Sequence, residues 1–241
     1  MANWTDPRAT VSAPSSVGAR AEYDVGLRSY MLSVYNYMAS GVLLTGIVAL
    51  LFANSSFIVP VLQSPARWLI MLAPLAFVMV MSFGINRISE GTLKTLFWAY
   101  SAVMGLSMAS IFLVFTGASI AQTFFATAAA FAGLSLWGYT TKRDLSGFGT
   151  FLIMGLVGLL VAMLINIFLQ SSAMAFAISA IGVLLFAGLT AYDTQRIKSM
   201  YSYVAGTDFA GKSVVMGALT LYLDFINMFM FLLQLFGGRR D

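Results

Sequence analysis

Long apolar stretches alternate with short polar or charged segments along almost the whole chain after residue 30. A helix needs about 20 predominantly apolar residues to cross the hydrocarbon core of a bilayer. Seven stretches reach that length, and they cover residues 31–53, 66–86, 92–115, 119–140, 148–169, 173–195 and 213–236. The pattern therefore predicts an all-α integral membrane protein with seven transmembrane helices.

Little of the chain lies outside these stretches, so the pattern predicts one membrane domain and no separate soluble domain. Residues 1–29 are polar and contain two prolines and a Ser-Ser-Val-Gly segment, which is typical of a flexible tail rather than a secretory signal. Residues 30–238 form the predicted seven-helix domain. Residues 239–241 are a short second tail.

The basic residues are distributed unevenly between the two ends of the predicted helices. Cytoplasmic loops of membrane proteins carry an excess of Lys and Arg. The end with more of them should therefore be cytoplasmic, with the amino terminus inside and, after seven crossings, the carboxyl terminus outside. A re-entrant last segment would instead keep the two final arginines inside. Ten basic residues fall at one end and three at the other: Arg8, Arg20, Arg28, Arg87, Lys94, Lys142, Arg143, Arg196, Lys198 and Lys212, against Arg67, Arg239 and Arg240.

Composition narrows the chemistry available to the chain. It is 60% hydrophobic and 9% charged, with no Cys and no His. Thiol nucleophiles, disulfides, Cys or His metal sites and Ser-His-Asp triads are therefore excluded, and no cofactor is expected. The net charge of +4 is dispersed over short loops, which favours membrane topology rather than nucleic-acid binding. The absence of cysteine and the short loops are compatible with a bacterial inner membrane.

The last predicted helix carries a carboxylate in the middle of its apolar run. Asp224 lies between Val214 and Phe236, where an ionised side chain costs several kcal/mol unless it is paired or protonated. At 100° per residue, the polar side chains share a third of the helix surface and should face protein or water. This stripe, predicted to line a cavity, consists of Gly217, Thr220, Asp224, Asn227, Phe231 and Gln234.

Two further charged residues lie near the basic ends of predicted helices. Asp193 lies near the end of the sixth apolar stretch, where it could simply pair with Arg196 three residues later. Arg87 follows the second stretch, where it could pair with Glu90 or anchor at lipid phosphate. If both aspartates and Arg87 met inside the membrane, the carboxylates would titrate as a coupled pair with a nearby countercharge. That arrangement would be a proton sensor.

Depth is an obstacle to such a meeting. At about 1.5 Å per residue, Asp224 lies roughly 18 Å from Lys212 along its helix, whereas Asp193 lies only about 7 Å from Lys198. The two carboxylates are expected to meet only if Lys212 lies beyond the membrane surface or the helices are tilted.

Two motifs in succession resemble those of the Bax inhibitor family, also called the transmembrane Bax inhibitor motif proteins. The first is Ala-Tyr-Asp-Thr-Gln-Arg-Ile-Lys around Asp193, and the second is Leu-Tyr-Leu-Asp-Phe-Ile-Asn-Met-Phe around Asp224. The chain then ends near Leu-Leu-Gln-Leu-Phe-Gly, and the Lys142-Arg143-Asp144-Leu145 loop is similar to the family's basic link between the fourth and fifth helices. The resemblance covers residues 30–238 and identifies a bacterial-type member.

The resemblance implies a fold in which the last helix is central and wrapped by the other six, and a pH-sensitive calcium leak. It implies that Asp193 and Asp224 form a sensor that holds calcium transiently during permeation, and that Arg87 latches onto Asp193 to close the cytoplasmic exit. Calcium would then be the permeant ion rather than a cofactor. The glutamate that some relatives carry in the second helix is absent, since Ala76 stands there.

Functions of other classes remain open at this point. A regulatory membrane protein of stress or cell-death control would bind other membrane proteins as partners, besides the surrounding lipids. An intramembrane aspartyl protease would also use two aspartates, but the chain has Leu221-Tyr222-Leu223 before Asp224 in place of the Gly-x-Gly motif, so we expect no enzyme. A rhodopsin is excluded, since it would need a lysine within the last span and Lys212 lies at its edge. The pattern leaves the oligomeric state open.

Overall fold

The computed structural model describes the backbone of residues 16–240 and the side chains of residues 21–240. Within that range the chain forms nine helices, seven of which are long and apolar enough to cross a membrane. This confirms the predicted all-α, multi-pass membrane protein. The helices are α1 (Ser16–Ala53), α2 (Ile58–Gln63), α3 (Ala66–Gly84), α4 (Glu90–Met108), α5 (Ile111–Val114), α6 (Gly117–Thr140), α7 (Ser146–Leu169), α8 (Ser172–Val204) and α9 (Ala210–Phe236).

Two helices extend beyond their predicted ends. The flexible tail predicted for residues 1–29 is wrong from residue 16 onward, because α1 begins at Ser16; residues 1–15 lie outside the described residues. Likewise, α8 continues nine residues past the predicted end at 195. The two extensions support each other, since the Tyr201 ring lies 5.1 Å from that of Tyr23 and 5.3 Å from that of Tyr30. Aromatic packing thus compensates for the polar residues that end the apolar pattern.

Two short helices subdivide the predicted elements. The third predicted span is interrupted after Met108, and α4 and the single turn α5 together form one helical stretch long and apolar enough to cross a membrane. A second short helix, α2, lies in the connection between α1 and α3. Neither change alters the number of crossings.

Helix α9 occupies the centre of the bundle. In an 18-residue apolar segment of α9, 67% of the residues are buried, whereas the same measure is 11% for α3 and 11% for α7. It packs mainly on α1, α4, α6 and α8, while α3 packs chiefly on α4 and α7 on α8. The predicted central position of the last helix is thereby confirmed. A helix in this position can keep a polar face away from lipid.

Close helix contacts depend on small residues and buried hydroxyl groups. Gly138 of α6 packs directly against the backbone of Ala191 in α8. Near the bundle centre, the Thr45 hydroxyl donates a hydrogen bond to the Ser101 carbonyl (2.8 Å) and lies 2.6 Å from the Tyr222 hydroxyl. These bonds join α1, α4 and α9 where side-chain polar groups would otherwise be unsatisfied.

The carboxyl-terminal segment is attached to the turn before α6. Arg240 donates its backbone N–H to Val114 O (2.9 Å), and Thr116 donates to Gly238 O (3.0 Å). Because α9 is continuous over 27 residues, its end lies opposite the α6–α7 loop, as seven full crossings require and a re-entrant segment would not allow. Asp241 lies outside the described residues. The membrane side of each end remains a prediction.

A candidate site built around two buried carboxyl groups

Asp193 of α8 and Asp224 of α9 lie inside the bundle. Asp193 is 7% exposed and Asp224 is 4% exposed. The two carboxyl groups are close enough to form a hydrogen bond with each other once one of them carries a proton. Among the described residues, Asp224 Oδ2 is buried and has no hydrogen-bond donor. A shared proton would satisfy that oxygen, because a protonated carboxyl group becomes a donor.

The register of α8 against α9 resolves the depth obstacle. Val204 lies eleven residues beyond Asp193, and Ala210 lies fourteen residues before Asp224. At 1.5 Å per residue, the carboxylates are therefore about 16 Å and 21 Å from the ends of their helices. Gly217 lies at this helix contact, where a Cβ would come 3.2 Å from the Ile197 side chain. The continuation of α8 past residue 195 places Asp193 deeper than its position near the end of the apolar stretch indicates.

A cavity of about 440 Å³ lies beside the pair, between α7, α8 and α9. Thr220 and Asn227 line it from α9, as predicted positions of the polar stripe, whereas Gly217 lies at the Ile197 contact and does not line it. Both polar side chains donate to their own helix, Thr220 to Met216 O (3.1 Å) and Asn227 to Leu223 O (2.8 Å). Their side-chain oxygens remain as acceptors.

The opposite wall of the cavity is apolar. Helix α7 contributes only aliphatic and thioether side chains, namely Ile153, Leu156, Leu159, Leu160 and Met163. The polar groups therefore all come from α8 and α9. A solvated ion or a water chain in this space would interact with one side of the cavity only.

The two candidate arginines differ in position. Arg196, three residues after Asp193, lines the cavity, and its positive charge acts on the Asp193 carboxyl group. Arg87 lies exposed in the turn between α3 and α4 and does not line the cavity. Within residues 21–240 the structure contains one ion pair, between Lys94 and Glu90. The predicted Arg87 latch on Asp193 is therefore not formed in this arrangement.

The distance of Arg87 from the pair follows from the packing of its helix. Helix α3 packs chiefly on α4. The turn after α3 is instead tied to the start of α9, because Lys212 donates a hydrogen bond to Ile85 O (3.0 Å). The i, i+3 spacing indicated Arg196 as a local partner of Asp193 but not as part of the site, and the structure places it at the cavity.

The donor set is small. No group of three or more Asp, Glu, His or Cys side chains forms a metal cluster within the described part of the chain. Two carboxylates with neighbouring hydroxyl and amide oxygens are hard ligands of the kind that calcium prefers, but fewer than the six to eight of a stable site. The predicted transient calcium contact at Asp193 and Asp224 thus remains a prediction.

Comparisons with known proteins extend over nearly the whole chain. A family model described as "Inhibitor of apoptosis-promoting Bax1" matches residues 27–241. The inner membrane protein YbhL of Escherichia coli K12 is 49% identical over 219 residues, which cover 89% of this chain and 94% of YbhL. The protein RP147 of Rickettsia prowazekii is 47% identical over 221 residues, with 91% and 93% covered. A protein of Caulobacter vibrioides is 46% identical over 234 residues, with 90% and 92% covered.

Proposed function

Because the chain belongs to the Bax inhibitor family, we propose that it is a pH-sensitive cation leak whose gate is the Asp193–Asp224 pair, with calcium as the permeant ion. The observation that carries the proposal is the contact of two buried carboxyl groups beside a cavity lined by oxygen acceptors. Carboxyl groups at membrane depth are costly, so a pair of them is retained where it has a function.

The gating step depends on the charge of the pair. Two adjacent carboxylates repel each other in a low dielectric, and one proton between them relieves that repulsion. With both groups ionised, their repulsion acts between α8 and α9 and the Arg196 charge, on the same helix as Asp193, offsets part of it; this is the closed arrangement. A shared proton removes the repulsion, joins the two carboxyl groups and shifts α8 relative to α9, which opens the route. The switch works if the two arrangements differ by only a few kcal/mol.

Arg196 supplies the countercharge in this scheme, and Arg87 does not take part in the arrangement described here. An Arg87 latch would belong to another conformation, in which the hydrogen bond from Lys212 to Ile85 O is broken and the turn after α3 moves. The scheme therefore predicts different effects on the leak for substitution of Arg196 and substitution of Arg87. Loss of Arg196 should change the pH dependence of the leak directly.

Calcium flux into liposomes between pH 5 and pH 8 tests the gate. We expect the pH dependence of flux to be lost in Asp193→Asn and in Asp224→Asn. In Arg196→Gln the pH of half-maximal flux should move upward, because Asp193 then keeps its proton at higher pH. The matched control is Asp208→Asn, which removes an exposed carboxylate in the α8–α9 loop. Unchanged pH dependence in the three cavity variants would reject the mechanism.

The cellular location follows by analogy with a relative. YbhL is named an inner membrane protein, and this chain is 49% identical to it. We place this protein in a bacterial inner membrane with its basic end in the cytoplasm. The cavity would then lead toward the cytoplasm past Arg196.

A second candidate is supported by the same carboxyl pair. Two aspartates in contact can activate water, as in aspartyl proteases. Cleavage of a model transmembrane peptide by purified protein, abolished by Asp224→Asn, would favour this activity. Absence of cleavage in a preparation that shows pH-dependent calcium flux would leave the leak as the function.

A further inference from the structure

A second cavity, of about 330 Å³, lies at the basic end of the bundle beside the carboxyl pair. The α6–α7 loop and the start of α7 form one side of it, and the last part of α8 forms the other. It differs from the carboxyl cavity in being lined by charged and polar side chains. They are Lys142, Arg143, Asp144, Ser146, Tyr192, Gln195, Arg196 and Ser199.

The loop that carries two of the cations is held by specific hydrogen bonds. Gln195 accepts a hydrogen bond from Leu145 N and donates one to Arg143 O, both at 2.8 Å. At the start of α7, Gly149 packs directly against the ring of Tyr192. The loop thus has one defined position on α8. Its cations are presented by a built scaffold rather than by a free loop.

The charges around the cavity are unbalanced. Lys142, Arg143 and Arg196 contribute three cations, and Asp144 is the one lining carboxylate. That carboxylate is already engaged, because Asp144 Oδ1 accepts the Ser146 N–H at 2.9 Å, and this bond holds the pKa of Asp144 below its ordinary value. The remaining positive charge favours an anion with several oxygens, and a guanidinium fork matches phosphate geometry.

Arg196 and Tyr192 line both cavities. An anion that engages the Arg196 guanidinium would draw it away from the Asp193 carboxyl group. Binding at the outer cavity would thereby change the charge balance of the inner one. No other cationic side chain of the described chain lines the carboxyl cavity.

We propose that this cavity, formed by Lys142, Arg143 and Arg196 around the Gln195-held loop, is a binding site for a phosphate group and regulates the carboxyl pair through Arg196. The phosphate belongs either to a phosphomonoester lipid headgroup or to a soluble phosphorylated molecule, since both present the same oxygens. The regulatory part rests on the proposed leak, whereas the binding part does not.

Binding is tested on the full-length protein with two probes. Calorimetry with inorganic pyrophosphate in an uncharged detergent measures the soluble arm. Reconstitution into phosphatidylcholine vesicles with and without phosphatidic acid, followed by measurement of lipid co-purification, tests the lipid arm. Binding in either arm supports the site and identifies the source of the phosphate. Binding in neither overturns it.

Three variants separate a built site from general attraction. The double variant Lys142→Gln/Arg143→Gln should weaken binding at least about tenfold, since charge-assisted hydrogen bonds are lost. Its matched control, Arg239→Gln/Arg240→Gln, removes the same charge at the opposite end and should leave the affinity unchanged. Gln195→Ala keeps every charge but frees the loop, and it should weaken binding several-fold. Equal losses in the control, or full affinity in Gln195→Ala, would refute the site.

Regulation is read out by flux. Pyrophosphate on the basic side should move the pH of half-maximal calcium flux upward in the wild type and should have no effect in Arg196→Gln. If the anion binds to the wild type but the pH of half-maximal calcium flux does not change, the regulatory part is refuted. If the anion binds but Asp193→Asn and Asp224→Asn leave the pH dependence intact, the proposed gate fails while the binding site stands.

Discussion

The contact between Gly138 and Ala191 leads to a quantitative prediction about the packing of α6 on α8. A Cβ at position 138 would lie 2.9 Å from the Ala191 Cα and 3.0 Å from its carbonyl carbon. Carbon atoms prefer a separation of about 3.5–4.0 Å, so the helices would have to move apart by roughly 0.5–1 Å. Because the obstacle is backbone, no side-chain rotation relieves it.

The expected cost can be separated from helix propensity. Overpacking of this kind costs about 1–3 kcal/mol, whereas replacing glycine by alanine in a helix gains up to about 1 kcal/mol. Gly133, in the same helix, is exposed, and a Cβ added there would meet no atom of the described chain within 4 Å. Gly133→Ala should therefore be neutral or stabilising. Gly138→Ala should be less stable than Gly133→Ala by about 1–3 kcal/mol.

Reversible unfolding in mixtures of sodium dodecyl sulfate and a mild detergent, followed by circular dichroism, measures this difference. Equal midpoints for Gly138→Ala and Gly133→Ala would refute the packing argument. Because Ala191 precedes Asp193 by two residues, Gly138→Ala should also alter the pH dependence of flux. Gly133→Ala should not.

Three further predictions follow from other parts of the structure. Thr45→Val removes both buried hydrogen bonds of that hydroxyl and should destabilise the bundle by about 1–2 kcal/mol in the same unfolding assay, whereas the exposed Thr95→Val should have little effect. The hydrogen bond to Ser146 lowers the pKa of Asp144 below its ordinary value of 3.8, so its stabilising effect is fully present above pH 3.8 and is lost as the pH falls through the lower folded pKa. The difference in stability between the wild type and Asp144→Asn should therefore vanish in that acidic range. A reporter fused after Arg240 should be active on the side opposite a reporter at the amino terminus, and activity of both on one side would contradict seven crossings.

The candidate site was only partly predictable. The polar stripe with Thr220, Asp224 and Asn227 could be predicted, because helical periodicity shows which few polar residues of an apolar run share one face. The partner of Asp224 does not follow from periodicity, because contact between two helices depends on their register. Arg196 and Arg87 lie at similar positions after apolar stretches and both are exposed, so only packing decides that Arg196 lines the cavity and Arg87 does not.

The number and order of the membrane helices were determined by the sequence alone. Transfer of each apolar stretch out of water favours its insertion, and the backbone hydrogen bonds of each span form within its own helix. A membrane span can therefore be predicted without knowing which helices pack against it. The helix ends at Ser16 and Val204, the central place of α9 and the pairing of Asp193 with Asp224 were decided by the tertiary structure. They depend on contacts between distant residues, such as Tyr201 with Tyr23 and Gly217 with Ile197, and no local pattern encodes these.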